Sequence, residues 1–125
     1  MFWAQSYPKT FSIVGIAGSA SRDFKGSDSA ALNHWLLRNR CRPYYIFQAD
    51  AVVGTSHFRT STETGIEIIQ QLRGWTSGLA VPHYVVDLPR GGGKVSLQPD
   101  YLRERDGRTL TFENYRGETF SYDEG

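Results

Sequence analysis

Three stretches in the middle of the chain decide its fold: residues 44–49 (YYIFQA), 62–73 (TETGIEIIQQLR) and 83–86 (HYVV). The first and third are short runs rich in β-branched and aromatic residues, which favour strands. The second repeats isoleucine and leucine at helical spacing, follows residues that can cap a helix, and ends before Gly74. This order predicts one β-α-β unit with parallel strands and a right-handed crossover.

Weaker patterns on both sides of this unit complete the predicted fold. Periodicity and turn residues predict a strand over 11–17, a helix from 28 or 29 to 38–40, and a β-hairpin of strands 109–112 and 119–122. Trp35 and Trp75 are expected in the core and not at a functional site. The sequence therefore predicts a single α/β domain.

Composition excludes several classes of function. A formal net charge of +1 over 125 residues argues against nucleic acid and anionic membrane surfaces as partners. No apolar run approaches the length of a membrane span. Cys41 is the single cysteine, so it forms no internal disulfide, and by itself it holds neither zinc nor an iron–sulfur cluster. These features predict a cytoplasmic protein without a metal site of its own.

Two carboxylates and a lysine are expected at one rim of the predicted sheet. Asp50 and Asp87 each follow one of the two predicted parallel strands, and neighbouring strands lie about 4.8 Å apart. Lys94 comes after a proline-glycine stretch that predicts a loop at the same rim. Because ligands bind at this rim in barrel-like and open α/β folds, the sequence predicts a ligand site there.

The glycine run before Lys94 invites two other interpretations. A phosphate-binding loop requires G-x-x-x-x-G-K-[ST], but Leu88 occupies the first glycine position and Val95 follows the lysine. A flexible surface loop is the other interpretation. Consecutive glycines at a strand end instead favour close approach of the backbone to a ligand, since a plain linker gains nothing from their entropic cost.

The same segments resemble consecutive blocks of the lysine 2,3-aminomutase family, which uses pyridoxal phosphate, S-adenosylmethionine and a [4Fe–4S] cluster. The matching blocks are residues 42–50 (RPYYIFQAD), 54–60 (GTSHFRT), 65–69 (GIEII), 72–78 (LRGWTSG), 80–82 (AVP), 85–87 (VVD) and 89–94 (PRGGGK). The resemblance covers roughly residues 36–122 and implies the C-terminal portion of a radical-enzyme β/α (partial TIM-like) barrel with a β-hairpin extension. Residues 31–125 form this region, and residues 1–30 stay unassigned.

The resemblance also assigns roles to individual residues. Lys94 corresponds to the family's Schiff-base lysine, and Asp50 and Asp87 to the aspartates that receive the ammonium of the substrate lysine. The cofactor-binding set that it implies is Lys94, Gly91, Gly92, Gly93 and Tyr44. Arg90 stands where the family has a further glycine, so the loop is strained if that position needs a positive φ.

The family's radical chemistry requires a CxxxCxxC motif, which this sequence does not contain. We therefore expect the chain to supply the lysine and aspartates for interconversion of lysine and β-lysine, and to be inactive alone. Whether it is an enzyme stays open. The alternatives are a non-catalytic remnant or partner module, docking on another aminomutase chain or its own copy, and a small flavodoxin-like flavin-binding protein suggested by residues 14–22 (VGIAGSASR).

Overall fold

A computed structural model describes residues 9–14, 26–48 and 60–125, which form a mixed α/β structure of two helices and two small sheets. The elements are β1 (Lys9–Val14), α1 (Gly26–Arg38), β2 (Cys41–Phe47), α2 (Thr62–Leu72), β3 (His83–Leu88), β4 (Gly93–Ser96), β5 (Leu102–Asp106), β6 (Thr109–Glu113) and β7 (Thr119–Asp123). A short 3-10 helix, Gly78–Ala80, precedes β3. No helix among the described residues is long and apolar enough to cross a membrane.

The larger sheet has the strand order β1-β2-β3-β4. Its first three strands are parallel, and β4 pairs with β3 in the antiparallel direction. The predicted parallel β-α-β unit is confirmed as β2-α2-β3, and β1-α1-β2 precedes it. Within the described ranges the sheet is open, with β1 and β4 at its edges. The α/β class is therefore confirmed, and the barrel stays a prediction.

The core lies between the larger sheet and the two helices, which pack against each other. Its central cluster consists of Ile46, Ile68, Ile69, Leu72, Val81 and Tyr84. Ser61 begins α2 as predicted, because its side chain accepts a hydrogen bond from the backbone N–H of Thr64 at 3.3 Å. The Tyr84 ring lies so close to α2 that a Cβ added at Gly65 would be 2.2 Å from Tyr84 Cζ. Glycine is therefore required at this helix–sheet contact.

The predicted elements differ from the observed ones mainly at their ends. Strand β2 begins at Cys41 and includes Pro43, which precedes an irregularity in the pairing of β1 with β2. A proline fits here because β3 pairs with β2 only from Tyr45 onward. The expectation that Trp35 and Trp75 belong to the core is wrong. The two residues are 58% and 62% exposed.

The second sheet is an antiparallel meander of β5, β6 and β7. The predicted hairpin is confirmed as β6 and β7, paired from Thr109 with Asp123 to Glu113 with Thr119. Strand β5 (LRERD) was missed because its charged sequence lacks the apolar alternation that identifies a strand. The meander contacts the larger unit near Gly74, where an added Cβ would lie 2.4 Å from Tyr115 Cγ.

Candidate functional site

Strands β3 and β4 form a tight hairpin that carries Asp87 and Lys94. The register pairs Asp87 with Lys94 and Leu88 with Gly93, and the backbone N–H of Gly92 donates to the carbonyl of Pro89 at 3.2 Å. The expectation that Lys94 lies on a loop, with Asp87 just beyond its strand, is therefore wrong. Both residues lie inside paired strands, because the proline-glycine stretch turns the chain directly back onto β3.

The turn has the backbone signs of a type I′ hairpin. Arg90 and Gly91 at its two central positions have φ values of 56° and 80°, and a type I′ turn needs positive φ at both. The position of Arg90 thus does require a positive φ, and a side chain there costs about 1–3 kcal/mol. A Cβ at Gly91 or Gly93 would meet nothing within 4 Å, so the turn leaves open space beside its backbone.

Strand β2 contains a bulge, and beyond it the side chains alternate regularly between the two faces of the sheet. Phe11 of β1 pairs with Pro43 and the next residue pairs with Tyr45, so Tyr44 is the extra residue. Beyond the bulge, Ile46 faces the core, and Tyr45 and Phe47 lie on the face opposite the helices. Phe47 pairs in register with Val85, whose side chain lies on the same face as that of Asp87 two residues later.

Lys94 is surrounded on this face by a carboxylate and two aromatic rings. Its Nζ lies 4.0 Å from Asp87 Oδ1, 4.6 Å from the centroid of the Phe47 ring and 5.0 Å from that of Tyr45. The Lys94 and Asp87 side chains are 41% and 51% exposed, so their ion pair contributes little to stability. The arrangement instead holds an accessible amine over an aromatic surface, beside an accessible carboxylate.

The aromatic surface continues beyond Lys94 to Tyr44 and His83. The Tyr44 and Tyr45 ring centroids are 4.1 Å apart, and each lies 6.1 Å from the His83 ring. The hydrogen bond with Tyr44, followed by burial, raises the pKa of the Tyr45 hydroxyl above its ordinary value. This hydroxyl therefore stays neutral at physiological pH. The predicted role of Tyr44 in the cofactor cavity stays a prediction.

Asp50, the other predicted carboxylate, lies outside the described residues. The chain on either side of its segment is well fixed. The backbone N–H of Gln48 donates to the carbonyl of Val85 at 2.8 Å, and Gln48 Nε2 donates to the carbonyl of Thr60 at 2.8 Å. Gln48 Oε1 also accepts a hydrogen bond from the Tyr84 hydroxyl. These contacts hold Gln48, at the end of β2, against β3, and they hold Thr60 against Gln48.

The described residues contain no group of three or more histidine, cysteine, aspartate or glutamate side chains that could hold a metal ion. Cys41 is half-buried at the start of β2, and its Sγ lies 3.6 Å from the carbonyl oxygen of Asn39. Within this part of the chain the chemistry is therefore that of an amine, a carboxylate and aromatic rings.

Comparison with known proteins agrees with this chemistry. Residues 69–125, which include the β3–β4 hairpin and the meander, match the family model described as Lysine-2,3-aminomutase. The resemblance to the C-terminal segment of lysine 2,3-aminomutases is confirmed. The L-lysine 2,3-aminomutase of Bacillus subtilis is 48% identical over 93 residues, which are 74% of this chain and 20% of the relative.

Two further relatives show how far the likeness extends. The L-lysine 2,3-aminomutase of Methanococcus maripaludis is 48% identical over 73% of this chain and 21% of its own length. The glutamate 2,3-aminomutase of Clostridioides difficile is 44% identical over 74% of this chain and 22% of its own length. The chain thus spans about a fifth of the length of these curated relatives. Relatives named for two different amino acids match it almost equally well.

Sequence reasoning missed Tyr45 and Phe47, the two rings beneath the Lys94 amine. The available signal was the apolar Ile46 between them, since alternation around a core residue places Tyr45 and Phe47 together on the face away from the core.

Proposed function

We propose that this chain supplies the part of an amino acid 2,3-aminomutase that holds pyridoxal phosphate, with Lys94 as the residue that binds the cofactor covalently. The observation that carries the proposal is the position of the Lys94 amine, held against the rings of Phe47 and Tyr45 and beside Asp87 on the face away from the helices. The likeness to lysine and glutamate 2,3-aminomutases supports it.

The residues present fit pyridoxal phosphate. This cofactor supplies an aldehyde and an electron-accepting pyridine ring. Lys94 would hold the cofactor through its accessible amine, the group that reacts with such an aldehyde. The open space beside Gly91 and Gly93 admits a flat group to the backbone of the turn. Gly92 itself packs tightly on Leu88. The three glycines thus act together as the predicted cofactor-binding stretch.

The residues do not fit a [4Fe–4S] cluster. A cluster of this kind needs several thiolates, and the sequence contains Cys41 alone. No step through S-adenosylmethionine or an iron–sulfur cluster is therefore assigned to this chain. The adenosyl radical of a complete aminomutase would have to come from residues outside it, on a longer chain or on another aminomutase chain.

We further propose that the substrate carries a basic side chain, with lysine as the first candidate. Asp87 lies beside Lys94 with its carboxylate accessible, where it would receive a substrate ammonium. A glutamate side chain would instead place two like charges together, which is unfavourable. The family resemblance adds Asp50 as the second carboxylate, two residues after the fixed Gln48.

Borohydride reduction with pyridoxal phosphate, followed by peptide mass mapping, tests the role of Lys94. We expect the label to concentrate on Lys94 and to leave the other two lysines, Lys9 and Lys25, near background. Lys94→Ala should abolish the selective label, and Lys25→Ala is the matched control that should keep it. Equal labelling of all lysines and the amino terminus, unchanged in Lys94→Ala, would show nonspecific chemistry and contradict the proposal.

The same experiment separates the alternatives. A non-catalytic module that only docks on another chain or on its own copy has no reason to react selectively at Lys94. A flavodoxin-like protein would bind a flavin through residues 14–22, of which the structure describes only Val14. Flavin absorbance after purification, without a selective label at Lys94, would favour that alternative.

A further inference from the structure

The side chains beneath Lys94 form a continuous aromatic surface on the sheet. The Tyr45 and Phe47 ring centroids are 5.5 Å apart with planes inclined by 61°. Both side chains are half-buried, and both lie on the sheet face opposite the helices. Their placement follows from regular alternation, since Ile46 between them faces the core.

We propose that Tyr45 and Phe47 form an aromatic platform that holds the pyridine ring of pyridoxal phosphate against the sheet, next to its bond with Lys94. This inference rests on the proposed function of Lys94 and adds positioning residues that the sequence did not indicate. It assigns the ring of the cofactor to β2, while the turn between β3 and β4 takes the remainder of the cofactor.

The distances support a direct contact between rings. Lys94 Nζ lies 4.6 Å from the Phe47 centroid and 5.0 Å from the Tyr45 centroid. A pyridine ring joined to Nζ through one carbon atom can therefore reach the 4.5–7 Å separation at which aromatic rings attract each other. Phe47 is the closer ring, so it should contribute more than Tyr45.

The platform also suits the charge of its ligand. Aromatic faces attract cations, as the position of the Lys94 ammonium over these two rings shows. A protonated pyridine ring would replace that ammonium on the same surface. Because the hydrogen bond with Tyr44 and burial raise the pKa of Tyr45, this ring carries no charge at physiological pH that would repel the cofactor phosphate.

Two aldehyde probes distinguish a platform from simple support of Lys94. Pyridoxal phosphate has an aromatic ring, and glyoxylate has none, but both form a reducible adduct with an amine. We expect Phe47→Leu to weaken the pyridoxal phosphate adduct about two- to tenfold, the range that an aromatic pair supplies. Visible circular dichroism of the adduct should fall with it. The glyoxylate adduct at Lys94 should stay unchanged.

Four further variants complete the test. Phe47→Tyr and Tyr45→Phe each keep a ring, so both should retain the pyridoxal phosphate affinity and dichroism. Tyr45→Leu should weaken the adduct less than Phe47→Leu does, and it replaces that variant if Phe47→Leu fails to fold. Tyr122→Leu removes an exposed ring on the meander and should change neither probe.

Each outcome bears on one of the two proposals. Weakening of the pyridoxal phosphate adduct alone supports the platform. Equal weakening of both adducts, or weakening of neither, overturns the platform and leaves Lys94 as the cofactor residue. Absence of a selective label at Lys94 in the unmodified chain overturns the proposed function, and the platform with it.

Discussion

The two sheets of this molecule are stabilised in different ways. The larger sheet buries a cluster that includes Ile69 and Leu72 between its strands and two helices. In the meander only Leu110 is a buried apolar side chain among the strand residues, and Phe120 and Tyr122 are 56% and 61% exposed. Burial of apolar surface is the main favourable term in folding, so the larger unit should carry most of the stability.

Each unit contains a β-bulge. In the larger sheet Tyr44 is the extra residue, and Tyr45 and Phe47 beyond it share the face of Lys94. In the meander the irregularity between Leu102 and Glu104 leaves Arg103 unpaired in the register, and its guanidinium reaches Glu113. The first bulge lies next to an accessible aromatic surface beside the Lys94 amine, whereas the second lies next to a surface ion pair. The candidate site therefore belongs to the larger unit.

Truncating a core side chain tests the difference in stability between the two units, and it has the largest expected effect. Ile69 is 1% exposed at the centre of the cluster, so Ile69→Ala should lower the free energy of unfolding by about 2–5 kcal/mol. Phe120→Ala in the meander is the matched control and should change it by less than about 0.5 kcal/mol. Urea denaturation followed by circular dichroism measures both.

The contact between the units determines how this result is interpreted. Tyr115 of the meander packs on Gly74, and its ring lies 4.9 Å from that of Trp75. Tryptophan fluorescence therefore also monitors this junction. Equal destabilisation by Ile69→Ala and Phe120→Ala would mean that a partner surface covers the meander in solution, which contradicts the proposed division.

The elements that sequence predicted well are those with strong local signals. Helix α2 has an apolar face, a cap for which Ser61 and Thr62 were both candidates, and an end before Gly74; the structure gives Ser61 as the cap and a φ of 84° at Gly74. Strand β5 could not be predicted, because its charged sequence contains no apolar alternation that would indicate its pairing with β6. Helix ends and strand pairing depend on contacts with residues distant in sequence, which the hydrophobic periodicity of a segment does not reveal.

The candidate site was predicted in its composition but only partly in its geometry. The proximity of Lys94 and Asp87 was expected from the family resemblance and from the strand order, and the structure places their charged atoms 4.0 Å apart. Their location inside a hairpin was not expected, since a type I′ turn places Arg90 at a positive φ, which arginine rarely adopts. The contact of Lys94 with the rings of Tyr45 and Phe47 was also not predicted, because it depends on the pairing of β4 with β3.

The pH dependence of the free energy of unfolding gives a second test of how the larger unit is stabilised, with an effect of intermediate size. Burial in the larger unit raises the pKa of Tyr84 from 10.0 to about 12, with a smaller contribution from the charge of Glu63. Between these values the unfolded chain has lost the phenol proton that the folded chain still holds. The folded state is therefore favoured less as the pH rises, by about 2–3 kcal/mol in total at pH 12.

Tyr84→Phe should remove most of this decline between pH 10 and pH 12. The variant also loses the hydrogen bond to Gln48, which lowers the free energy of unfolding by about 0.5–1.5 kcal/mol at pH 8. Tyr45 retains a smaller decline of the same sign, because its pKa is also raised. Denaturation midpoints measured from pH 8 to pH 12 give both effects, and an unchanged slope in Tyr84→Phe would contradict the assignment to this residue.

The ion pair of the meander provides the smallest expected effect. Arg103 Nε and Nη2 lie 3.2 Å and 3.1 Å from the two carboxylate oxygens of Glu113, and the pairing raises the pKa of the guanidinium. Both groups are solvent-accessible, with side chains 48% and 32% exposed, so salt screens their attraction. Glu113→Gln should therefore lower the melting temperature by less than about 3 °C in low salt and by less still in 1 M sodium chloride.

The matched control for this pair is Glu124→Gln, which removes the single contact of 3.0 Å between Glu124 and Arg105. A two-point contact fixes both partners better than a one-point contact does, so Glu113→Gln should have the larger of the two small effects. If Glu113→Gln instead lowered the melting temperature as much as Ile69→Ala, the meander would depend on charge pairing to stay folded. The stability of the molecule would then not be concentrated in the apolar core of the larger unit.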